Sequence, residues 1–128
     1  MKSFRTPLFF IVFVLCFCFH AIAENSLPGQ IKLVKAVICE NIRDYAPENP
    51  AVVFPVSIGR VSCFTAFESV SEDSFILHKW YHRDRLVTTF RLDLKSPKWS
   101  TRSSMQLRES DKGPWRVEIV NSEDRLLG

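Results

Sequence analysis

The chain has 128 residues with 17 Lys and Arg against 14 Asp and Glu, four Cys and a formal charge of +3. The first 23 residues distort these figures: without them 15 basic residues face 14 acidic ones, two Cys remain, and apolar residues make up 42 of 105. This excludes a strongly basic nucleic-acid binder, a disordered tail and a multidomain enzyme, and leaves one small domain with a real core.

In chain order, Lys2 and Arg5 precede an unbroken apolar run, Leu8–Phe19, and Ala21-Ile22-Ala23 then offers small residues before Glu24. This order predicts a secretory signal peptide over residues 1–23, cut between Ala23 and Glu24. A spanning helix needs about 20 apolar residues, more than this run holds. The expected location is therefore the periplasm or the exterior, with no membrane span after cleavage; the alternative is an uncleaved N-terminal anchor in the inner membrane. Residues 24–30 read as a polar linker and 31–128 as a single domain.

Ile31–Glu40 is rich in β-branched residues and apolar on both parities, the pattern of a buried strand. Asn41–Pro55 contains three Pro and reads as a long connection, with Val52–Phe54 as a brief edge strand. Arg60–Val70 is the next strand, with Val61, Cys63, Thr65 and Phe67 on one side. Phe75–His82, Leu86–Leu94, Trp99–Leu107 and Trp115–Val120 follow, separated by polar turns. In the last three, Phe90/Leu92/Leu94, Trp99/Thr101/Ser103/Met105/Leu107 and Trp115/Val117/Ile119 alternate with polar neighbours, which indicates one buried and one wet face. No helical window competes. The expected fold is all-β, a small antiparallel β-sandwich of about six to seven strands.

Cys39 and Cys63 are the only cysteines beyond the leader. In an oxidising compartment an even pair usually bonds, and closing a loop of about 25 residues contributes roughly 3.5 kcal/mol in the chain-entropy model. A structural disulfide between them is expected rather than a reactive thiol.

The ordered run Cys39-Glu40, Gly59-Arg60-Val61-Ser62-Cys63, His78-Lys79-Trp80, Trp99-Ser100-Thr101-Arg102-Ser103 and Gly113-Pro114-Trp115-Arg116-Val117 resembles the bacterial family catalogued as domain of unknown function 2914. The resemblance runs from about Val34 to Leu127. It implies an exported or membrane-tethered all-β domain and carries no established activity. Ser100 stands where many members have Arg, and members often continue into one more strand.

Few residues offer chemistry. His78, Trp80 and His82 fall on one side of a strand, but imidazoles four apart on a strand lie about 13 Å apart, too far to share one ion. No metal site and no cofactor are expected. A bland reading makes His78 a core residue bonded to a hydroxyl, with Thr101 and Ser103 as acceptors and Trp80 packed beside it. A functional reading makes His78, Trp80, Trp99, Arg102, Ser103 and Trp115 a shallow binding surface, with Arg102 joining only through a bulge, since it has the opposite parity. Glycine-rich phosphate loops and the common hydrolase motifs are absent from the sequence. The favoured function is a non-catalytic binding or accessory module of the bacterial cell envelope, its partner a protein at an exposed sheet edge or a glycan on aromatics. The alternatives are a purely structural assembly module and a small exported hydrolase. Near-neutral charge argues against nucleic acid as a partner.

Overall fold

The structure is a computed structural model that describes residues 30–128. The leader 1–23, its cleavage between Ala23 and Glu24, and all but the last residue of the 24–30 linker lie outside the described residues. Seven strands follow one another: β1 (Lys32–Arg43), β2 (Ala46–Pro50), β3 (Arg60–Glu68), β4 (Ser74–His82), β5 (Arg85–Leu94), β6 (Trp99–Gln106) and β7 (Trp115–Asn121). They form two antiparallel sheets, β2-β1-β3-β6 and β5-β4-β7. Two short 3-10 turns, Val56–Ile58 and Glu109–Asp111, interrupt the loops.

The sheets pack face to face because each sends one parity inward. β3 contributes Val61, Cys63 and Phe67; β4 contributes Ile76 and Trp80; Leu94 and Ile119 come from β5 and β7. One apolar cluster gathers Phe67, Val70, Ile76, Leu94 and Ile119, and a second gathers Val61, Cys63 and Trp80. Fully burying side chains of this size stabilises by about 1.5–3 kcal/mol each. The expected sandwich, with its strand number and the inward sets of β3, β5 and β7, is the architecture found.

Three local expectations are corrected. β3, not β1, is the strand buried on both faces: Ser62 and Phe64 are covered as fully as Val61 and Cys63, while Val34 on β1 is 45% exposed. A register shift between Leu33 and Lys35 marks a bulge there, which turns Val34 outward. The brief edge strand expected at Val52–Phe54 is not formed; Val52 and Val53 stand almost wholly in solvent. The edge strand is instead β2, which carries Pro47 and Pro50 at positions where an edge tolerates the missing donor.

The Cys39–Cys63 disulfide is likewise not made; both thiols are free and buried. Register explains this. Cys39 lies opposite Ser62, and Cys63 lies opposite Ile38. Directly opposed residues share a face and successive residues alternate, so the two thiols leave opposite faces of the β1–β3 pair. The Cys39 thiol instead donates to the Ser62 carbonyl at 3.6 Å.

Both tight hairpins use left-handed residues: Asp44-Tyr45 between β1 and β2, and Arg83-Asp84 between β4 and β5. Two consecutive positive φ angles match the twist of the flanking strands. At the other end of the chain, the Asn121 carboxamide oxygen accepts from the Glu123 and Arg125 amides. This turn brings Leu126–Gly128 back against β7, where the Ile119 amide donates to the Gly128 carbonyl and the Leu127 amide donates to the Ile119 carbonyl.

Candidate functional site: an inter-sheet clamp and an open cleft

Period-2 alternation on β4 sends His78 and Trp80 into the core beside Ile76. Facing them from the other sheet are Thr65 on β3 and Ser103 on β6. His78 has no solvent exposure. Its Nε2 lies 2.9 Å from Thr65 Oγ1 and its Nδ1 lies 2.7 Å from Ser103 Oγ. Trp80 Nε1 donates to the same Ser103 oxygen at 2.9 Å. Four polar side chains thus bolt the sheets together inside an otherwise apolar interior. Loss of water pushes the His78 ring down to about 4, so it is neutral near pH 7. One ring nitrogen then donates and the other accepts, and a hydroxyl serves either role.

At the far end of β4 the aromatics continue. Trp80 meets Trp115 edge to face at 6.4 Å, and His82 stacks on Trp115 at 4.5 Å. Trp115 Nε1 donates to the Asp111 carbonyl at 2.7 Å, and His82 Nε2 donates to the Lys112 carbonyl at 2.8 Å. Arg83 Nη2 reaches that carbonyl too, at 3.2 Å. Gly113, with φ of +118°, permits this approach: a Cβ there would sit 2.9 Å from the guanidinium. The Arg108 amide donates to the Asp111 carboxylate and holds its carboxyl below the ordinary value. The 108–114 loop is therefore tied to the end of β4.

Between β1 and β7 the two sheets do not close over each other. The gap is a cleft of about 1040 Å³, walled by Ile38, Val61 and Met105 on one side and by Trp80, Trp115 and Val117 on the other. Val52, Val53 and Phe54 lie at its mouth. His78 and Ser103 lie behind the Trp80 ring and are not part of its wall.

The six residues expected to form one surface are thus divided. His78, Trp80 and Ser103 come together, but as buried core; Trp115 joins them through Trp80 and half faces the cleft. Trp99 lies at the other end of β6, opposite Phe67, 39% exposed, with Lys95 Nζ 5.6 Å from its ring centroid. Arg102 pairs with Phe64 on the opposite face of the sheet from Ser103 and is exposed. No bulge interrupts β6, so the parity objection to Arg102 stands.

Sequence reasoning passed over Thr65 and Val117. Thr65 had a signal, a lone hydroxyl on the inward side of β3 among Val61, Cys63 and Phe67. Val117 had none, because cleft walls and closed cores use the same residue types. Among the described residues, no three His, Cys, Asp or Glu side chains gather as a metal site, and no helix is long and apolar enough to cross a membrane.

Residues 73–128 match the family model described as protein of unknown function, DUF2914. No curated protein matches the chain. The matched stretch contains the His78-x-Trp80, Trp99-to-Ser103 and Gly113-x-Trp115 motifs, and β1–β3, which complete the clamp through Thr65, precede it. Over its segment 73–128, the chain is similar to the DUF2914 family of proteins of unknown function.

Proposed function

We propose that the protein is an exported, non-catalytic binding module of the cell envelope, and that its ligand enters the cleft between β1 and β7. The observation that carries this reading is the cleft itself. An opening of about 1040 Å³ walled by Ile38, Val61, Met105, Trp80, Trp115 and Val117 is large and apolar for a domain of this size.

The arrangement around His78 supports a non-catalytic role. A Ser–His pair at 2.7 Å has the spacing of a nucleophile and its base. Here, however, the serine oxygen also receives the Trp80 N–H, and the histidine has no solvent exposure. The cysteines are no better placed, since burial pushes the Cys63 thiol up to about 12 and also raises that of Cys39. A thiol held in that range supplies almost no thiolate near pH 7. Export rests on the leader: the N-terminal residue of protein recovered outside the cytoplasm is expected to be Glu24, and a start at Met1 would oppose cleavage.

Binding in the cleft is tested with an apolar fluorophore, anilinonaphthalene sulfonate, on the folded protein. Saturable one-site binding is expected, weakened at least tenfold by Val117→Glu with the melting temperature held within a few degrees. Absence of saturable binding would remove the reading.

A second reading uses Trp99. Its exposure beside Lys95 makes it a platform on which a sugar ring can stack, and it would leave the cleft empty of ligand.

A further inference from the structure

Tyr45 is explained neither by local conformation nor by packing. It is the second residue of the β1–β2 turn and has φ of +60°, a left-handed backbone that a two-residue hairpin normally gives to Gly or Asn. A bulky side chain there destabilises the turn, and burial does not offset this, since Tyr45 is 90% exposed. Among the described residues, no aromatic ring and no cation lies against its ring. Strained residues of this kind cluster at ligand sites.

Tyr45 lines a hollow of about 340 Å³ together with Val34, Ala66, Glu68, Lys98 and Ser100. Ala66 has the outward parity of β3 and pairs with Ser100, so the hollow lies on the outer face of the β2-β1-β3-β6 sheet. That places it away from β7 and the chain's last residues. Val34 and Tyr45 sit at opposite ends of β1 and line the same hollow, so the β1–β2 hairpin curls back over this face. Cys39, Ser62 and Phe64 share the outward parity and are buried, although no second sheet covers them, which accords with the curl. Trp99 borders the hollow too, but it and its partner Phe67 have the inward parity, and Lys95 lies over the Trp99 ring.

The floor of the hollow is polar and carries no net charge. Lys98 Nζ lies 3.6 Å from Glu68 Oε1, which leaves Glu68 Oε2 as an acceptor and the remaining ammonium hydrogens as donors. The Ser100 hydroxyl serves either role. A charged ligand gains little from a balanced pair, and an apolar one would strip water from it without replacing the hydrogen bonds. A pyranose ring suits both parts of the hollow. Its hydroxyls bridge the carboxylate and the ammonium, and its C–H face lies on the aromatic ring. We propose that this hollow is a saccharide-binding site, in which one ring of a neutral glycan stacks on Tyr45 and hydrogen-bonds to Glu68, Lys98 and Ser100. The site shares its ligand class with the second reading above but not its platform, and it does not depend on the cleft.

The test titrates the folded protein calorimetrically with three neutral hexasaccharides, chitohexaose, cellohexaose and maltohexaose, and with anionic hexagalacturonate. Saturable binding of at least one neutral hexasaccharide is expected, weakened at least tenfold by Tyr45→Asn and by Glu68→Gln. Tyr45→Asn is expected to melt at an equal or higher temperature, because Asn accepts the left-handed backbone, so unfolding does not account for its loss of binding. It is also expected to bind anilinonaphthalene sulfonate as the wild type does, which keeps the cleft separately readable. In the free protein tetranitromethane is expected to nitrate Tyr45 readily. No binding of any neutral hexasaccharide would overturn the site, as would tighter binding of hexagalacturonate than of all three. Undiminished binding by Tyr45→Asn with loss in Trp99→Ala would overturn it and return the platform to Trp99. A Tyr45 ring inert to tetranitromethane in the free protein would also overturn it, since another part of the chain or a second copy would then cover the hollow.

Discussion

His78 is the most informative single residue. Its unfolded ring titrates near 6.5 and its folded ring near 4, because folding removes water from it. Between these values the unfolded chain takes up the proton and the folded chain does not. Stability is therefore full above pH 6.5 and falls as the pH drops toward 4, by about 3 kcal/mol in total. Urea melts at pH 7, 5.5 and 4 are expected to show this loss, and His78→Gln is expected to flatten it. Ser103 holds two partners, so Ser103→Ala leaves both the Trp80 N–H and a His78 nitrogen unmatched, at a cost of about 2–4 kcal/mol by the same melts. Thr65→Val keeps the shape and removes one partner, for about 1–3 kcal/mol. The His78–Ser103 contact was legible from parity alone, since both residues fall on inward sides. Thr65 was not singled out because strand order, which places β3 against β4's inward face, is a tertiary fact.

At the scale of the element, alternation located the strands well, as β4 to β7 show. β4, β5 and β6 each have a single buried parity, whereas β7 buries both Ile119 and Val120, and polar turns bound all four. It served less well where other physics decides. β2 lies within a Pro-rich stretch that reads as loop, and only its edge position makes Pro47 and Pro50 acceptable. The Cys39–Cys63 expectation rested on compartment and spacing, and neither contains the register. One residue of offset between β1 and β3 separates the thiols onto opposite faces. Unfolding residues 24–128 without reductant is therefore expected to release two titratable thiols, Cys39 and Cys63, and neither is expected to react readily in the folded protein. Finding no titratable thiol would require β1 to slip by one residue against β3.

For the whole molecule, the main feature is that the sandwich is closed on one side and open on the other. Strands β5 and β6 meet along one side, while β1 and β7 stand apart. The clamp of Thr65, His78, Ser103 and Trp80 sits just behind the opening and fixes the spacing of the sheets there. In the proposed reading the role of the buried polar network is to hold the cleft at constant width. None of this was visible in the sequence, because Ile38, Val61, Met105 and Val117 read as ordinary core positions. The residues that looked most like a site, Trp99 and Arg102 with His78, belong to three different surroundings. The most direct measurement is an amide NMR titration of the folded protein with anilinonaphthalene sulfonate. Shifts are predicted at Ile38, Val61, Met105, Trp115 and Val117, with Trp99 and Arg102 unmoved. Shifts confined to Lys95, Trp99 and Arg102 would contradict the cleft and place binding on the opposite end of the molecule.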